Sequence, residues 1–72
     1  MDVIELINWC YRAYSAYCQH REHITAITFT STTMLNLVYM ADYMRANFPD
    51  VPAQLLRFEL RSADGSLAPV DV

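Results

Sequence analysis

Cys10, Cys18, His20 and His23 are the residues of this chain whose types and spacing come nearest to chemistry. A structural zinc needs ligands of this kind converging tetrahedrally, usually as pairs at short fixed spacing. On a continuous helix, positions 18, 20 and 23 point in different directions, so they converge only where the helix unwinds. A nucleophilic cysteine needs a positioned base, and His20 or His23 is the only neighbour on offer, with nothing in the sequence to orient it. Gly65 is the sole glycine, which leaves no glycine-rich loop to cradle a phosphate. The acids are dispersed rather than paired. Nucleophile, base and oxyanion stabiliser are therefore not assembled, and the expectation is a chain that is not an enzyme and carries no metal or cofactor.

A bridge between Cys10 and Cys18 fails on distance, since eight helical residues separate their Cα atoms by ~12 Å. Asp2 and Glu5 stand where a secretory leader would carry positive charge, which points to a cytoplasmic protein with reduced thiols. His20 and His23 flank Arg21 and Glu22 and read as a solvated helix end whose cations suit the dipole, the alternative being a pH-sensitive interface.

Net charge is −3, from five arginines, no lysine and eight acids. The arginines are scattered at positions 12, 21, 45, 57 and 61, whereas phosphate backbones are bound by clustered cations, so direct nucleic-acid binding is not expected. Arginine without lysine suggests a GC-rich coding sequence and a bacterial or phage source. Hydrophobic residues make up 54% of the chain, yet no run approaches the ~18 apolar residues of a membrane span.

The elements that must position these groups follow from periodicity. The first helix starts near Asp2 and ends around Gln19 to His23. Its polar residues Glu5, Asn8, Arg12, Ser15 and Gln19 fall in one narrow stripe. The rest is apolar: Ile4, Ile7, Tyr11, Tyr14 and Cys18 form one seam, Leu6, Trp9, Ala13 and Ala16 a second, and Val3, Cys10 and Tyr17 bridge them. That arc exceeds the ~100° that a surface helix usually buries.

β-branched residues crowd Ile24 to Thr33 and predict a strand over Ile24–Thr30. Ile24, Ile27, Ser31, Met34, Val38 and Ala41 also keep a three-four spacing, so a long helical hairpin is the alternative. Ser31 or Thr32 would cap a second helix running to about Asn47, stopped by Phe48-Pro49. Its core face reads as Met34, Leu37, Val38, Ala41, Met44 and Phe48. From Leu55 the period becomes two, with Leu56, Phe58 and Leu60 alternating with Arg57, Glu59 and Arg61. Ala63 to Ser66 supply a hairpin turn, and the return strand Leu67–Val72 contains Pro69, which belongs at a sheet edge.

The expectation is a single α+β domain over residues 1–72, in the order α-β-α-β-β with a C-terminal β-hairpin. At 72 residues it sits near the size (~70–80) below which one core rarely supplies more than a few kcal/mol, and association is a common remedy. A homodimer through Leu6, Trp9, Ala13, Ala16 and Tyr17 of the first helix is expected, with Trp9 as its anchor. Asn36, Tyr39, Met40, Tyr43 and Asn47, rich in tyrosine, asparagine and methionine, would bind another protein. The expected function is a non-catalytic protein-binding module, a stoichiometric inhibitor or adaptor of a larger complex. By size and acidity, one subtype is a phage-encoded inhibitor of a host defence system. The alternative is a structural or accessory subunit of a permanent assembly.

Overall fold

Asp2 opens the first helix in the way its carboxylate suggests: Oδ1 accepts from the amide of Ile4 at 3.1 Å, in a computed structural model that describes residues 2–72. The elements are α1 (Val3–His20), β1 (Ile27–Ser31), α2 (Met34–Asn47), a 3-10 turn (Ala53–Leu55), β2 (Leu56–Arg61) and β3 (Leu67–Pro69). This is the small α+β domain in the order α-β-α-β-β, and the helical-hairpin alternative falls because Ile27–Ser31 is a strand.

That strand begins three residues later than its β-branched composition implies. The amides of His23 and Ile24 both donate to the His20 carbonyl, at 2.8 and 3.0 Å, so the start of the expected strand is spent on closing the helix. Its end is also displaced. Ser31 belongs to β1 rather than capping α2, and Thr33 is the N-cap residue, with no side-chain cap. The Ser31 hydroxyl, buried at 3% exposure, still serves the helix entry by accepting from the Thr33 amide and Asn36 Nδ2, both at 3.2 Å.

The sheet has the order β1-β2-β3, with β1 parallel to β2 and β2 antiparallel to β3. Parallel neighbours need a crossover, and α2 supplies it. The register sets Ile27 beside Leu56, Phe29 beside Phe58 and Ser31 beside Leu60 on the helix side, with Phe29 and Phe58 stacked at 5.2 Å. Thr28, Thr30, Arg57, Glu59 and Arg61 take the opposite face, as period two requires. Leu55 lies in the 3-10 turn, so β2 starts one residue after the change of period.

The hairpin turn uses Gly65 at φ +87°, a conformation L side chains rarely adopt. Asp64 Oδ1 accepts from the Ser66 amide at 3.0 Å and hydroxyl at 2.8 Å. β3 stops at Pro69, three residues short of the expected Val72, and Pro69 sits on the outer edge as its missing N–H demands.

On α2 the buried residues are Leu37, Met40, Ala41 and Met44, followed by Phe48. Met40 thus joins the core, while Met34 and Val38, expected there, stay 41% and 38% exposed. The reason is that α2 is covered from two directions. The sheet lies beneath it and α1 lies beside it, which turns the buried arc toward Met40 and away from Val38.

Candidate functional site: the helix surfaces and the open edge of the sheet

The strip of α1 that enters the core follows the boundary of its two apolar seams and takes the inner residues of each, Leu6 and Ala13 from one and Tyr14 from the other. Leu6, Cys10 and Tyr17 are buried, Ala13 and Tyr14 pack against the core, and both flanks remain outside: Ile4 is 65% and Tyr11 53% exposed on one, Trp9 49% on the other. Of the five residues expected to form a self-interface, Leu6 and Tyr17 are therefore committed to the core and Ala13 is half-buried, leaving Trp9 and Ala16 facing outward. Arg12 lies over the Trp9 ring, 5.3 Å from its centroid.

An aromatic ladder joins α1 to α2. Tyr39 and Tyr43 stack at 6.3 Å, Tyr11 meets Tyr43 at 6.2 Å and Phe48 at 5.3 Å edge-on, and Tyr14 stacks on Phe48 at 4.3 Å. Tyr14 donates to Asp50 Oδ2 at 2.8 Å. That bond, with a further contribution from Cys18, raises the Tyr14 phenol well above its ordinary range. The Tyr43 phenol is also raised, chiefly by its hydrogen bond with Tyr11. Tyr14 and Tyr43 act here as packing and hydrogen-bonding groups.

This ladder accounts for much of the tyrosine-asparagine face of α2. Met40 is buried, Tyr43 is half-buried under Tyr11, and Asn47 Nδ2 donates to the Tyr43 carbonyl at 3.0 Å. Asn36 and Tyr39 remain at a surface.

The thiols have opposite fates. Cys10 is fully buried, its Sγ 3.9 Å from the Met40 carbonyl oxygen, and burial pushes its pKa up to about 11. A thiol so protonated is inert at neutral pH. Cys18 is exposed and lies with His20 and His23 along one shallow depression at the end of α1. Among the described residues, no group of three or more His, Cys, Asp or Glu is placed to hold a metal ion, and no helix is long and apolar enough to cross a membrane.

Two apolar concavities stand out among the described residues. Val3, Leu6, Leu35, Asn36, Val38, Tyr39 and Asp42 line an open groove of about 370 Å³ between the first turns of the two helices. Leu35 stands 78% exposed there, beside Val3 at 48%. Sequence reasoning named Asn36 and Tyr39 of this surface but missed its apolar part, Val3, Leu35 and Val38. Its signal was Leu35 itself, two turns before Asp42 on the side of α2 opposite Leu37. The second groove, about 130 Å³, is lined by Leu6, Trp9, Thr28 to Ser31 and Met40, where α1 meets the free edge of β1. Compared with protein-family models, curated proteins and solved structures, the chain matches none of them.

Proposed function

We propose that this chain is a non-catalytic protein-binding module that acts stoichiometrically, as an inhibitor or adaptor of a larger complex, and docks through the groove at the entry of both helices. The observation that carries the reading is the exposure of Val3, Leu35 and Val38 around one concavity. A contiguous apolar patch rimmed by polar groups costs solubility unless something covers it. Asn36, Tyr39 and Asp42 supply the rim, and tyrosine and asparagine are suited to adaptable contacts. The partner surface that fits is an apolar ridge, such as one face of an amphipathic helix laid between α1 and α2.

The test is co-purification of a stoichiometric partner by the tagged chain, repeated with Leu35→Glu and with Arg57→Glu on the outer sheet face. Leu35→Glu should weaken capture at least tenfold, about 1.4 kcal/mol, with the far-UV circular dichroism unchanged. Arg57→Glu should leave capture intact. Equal capture by wild type and Leu35→Glu, or the absence of any stoichiometric partner, refutes the proposal.

A further inference from the structure

In layered folds built from strand-helix-strand units, each helix packs over the junction of two neighbouring strands. Here α2 does so over β1 and β2. The other helix, α1, packs extensively only on α2, and meets the sheet where Leu6 and Trp9 approach Thr28 to Ser31. Among the described residues, the position under that flank of α1, beside β1, holds no strand, because β1 is an edge of the order β1-β2-β3.

The two edges of the sheet are built differently. β3 is three residues long and carries Pro69, two devices that discourage further pairing. β1 has five residues, Ile27 to Ser31, none of them charged or proline, and no charged residue occurs between His23 and Asp42. Its pairing with β2 uses one side of the strand, so the outward main-chain N–H and C=O groups form an unblocked template.

We infer that the free edge of β1 and the groove beneath Trp9 form a strand-docking site, which takes an extended, uncharged segment of a partner polypeptide as a fourth strand. Main-chain hydrogen bonds to β1 supply affinity, and a side chain on the helix side of the incoming strand enters the groove. The groove measures about 130 Å³. An apolar cavity of about 150 Å³ takes a benzene ring, so one aromatic or branched aliphatic side chain is the right size.

Area and charge decide the occupant. Five strand residues at ~3.3 Å span ~16 Å, and with ~10 Å between layers the footprint is ~160 Å². A stable interface between folded proteins needs about 800 Å² on each partner. The edge by itself is therefore the size of a single strand, and a second copy would also have to cover the α1 surface around Trp9. The edge carries no charge, which favours a neutral segment whose apolar residues alternate with polar ones, the latter lying beside Thr28 and Thr30.

This site is separate from the Leu35 groove, and its test needs no natural partner. The probe is a short neutral peptide, capped at both ends, alternating threonine with valine about a central phenylalanine. Its control is the same peptide N-methylated at every residue, which has no main-chain N–H left to donate on either edge and cannot pair as a strand. Added to the isotope-labelled chain, the plain peptide should slow amide exchange within Thr28 to Ser31 at least tenfold and shift Trp9 emission to the blue, while the control does neither. Trp9→Ala, at a half-exposed position, should weaken peptide binding tenfold or more without loss of fold. Leu35→Glu should bind the peptide as wild type does, so failure here is distinct from failure of the Leu35 surface. Unchanged exchange in β1 at about 1 mM peptide, the weak end of specific recognition, overturns the inference. So does an equal response to the methylated control. Protection of β1 that rises with protein concentration alone, with a doubled solution mass, also overturns it by showing a second copy on that edge.

Discussion

Leu37→Ala and Leu35→Ala make the same chemical change on the same helix, two residues apart, at 0% and 78% exposure respectively. Both gain the same small helix-propensity advantage of alanine over leucine, so the difference between them isolates burial. Leu37 is among the largest fully buried side chains, on the face of α2 that also buries Met40, Ala41 and Met44. Removing three carbons at ~0.8 kcal/mol each costs about 2.4 kcal/mol in transfer free energy. A residual void of ~40 Å³ adds about 1 kcal/mol at ~24 cal/mol per Å³. The expected loss is about 3–4 kcal/mol, against a total of about 4–11 kcal/mol for 72 residues at ~0.05–0.15 kcal/mol each. At ~4–8 °C per kcal/mol for a domain of this size, Tm should fall by about 12–30 °C. Leu35→Ala should stay within about 0.5 kcal/mol of wild type. The assay is urea and thermal unfolding followed by far-UV circular dichroism, with m compared across the three proteins to confirm a common two-state reference. Equal losses for the two variants, or a loss below about 1 kcal/mol for Leu37→Ala, would refute the placement of Leu37 in the core and of Leu35 at the surface.

Two further outcomes follow from titratable groups. A thiol reagent at neutral pH should label Cys18 at once and Cys10 only after denaturation, as read by peptide mass mapping; since burial raises Cys10 from 9.0 to about 11, the stability it protects is present below pH 9 and is lost as pH rises through that window. Rapid labelling of Cys10 in the folded chain would contradict its burial. Asp64 has its carboxyl lowered below 3.8, first by the Ser66 amide and then by the Ser66 hydroxyl. Its contribution to the hairpin is present above that value and is lost as pH falls through the depressed range. Asp64→Ala should therefore weaken hydrogen-exchange protection in β3 at neutral pH and flatten its loss in acid, whereas an unchanged acid profile would rule out the carboxylate as the cause.

Several elements could be read from the residues because short-range forces set them. Asp2 marks the start of α1, since a carboxylate two residues from a free amide satisfies it without outside help. The alternation from Leu56 to Arg61 marks β2, and Gly65 and Pro69 mark the turn and the outer edge, since each residue has a backbone preference of its own. The β-branched run before α2 identified a strand but misplaced its ends, because the His20 carbonyl competes for the amides of His23 and Ile24.

What only the tertiary structure decided is which apolar surface faces inward. On α1 two seams were equally apolar, and the core took the inner residues of both along their boundary. On α2 the core took Met40 and released Val38. Composition is silent on such a choice when the apolar arc is wider than any one neighbour can cover. The parallel pairing of β1 with β2, the crossover through α2, the stacking of Tyr14 on Phe48 and the edge-on contact of Tyr11 with Phe48 accompany this rotation of the two helices. The same long-range arrangement leaves Leu35 in an open groove and the neutral edge of β1 unpaired, so the surfaces available for binding are products of packing rather than of local pattern.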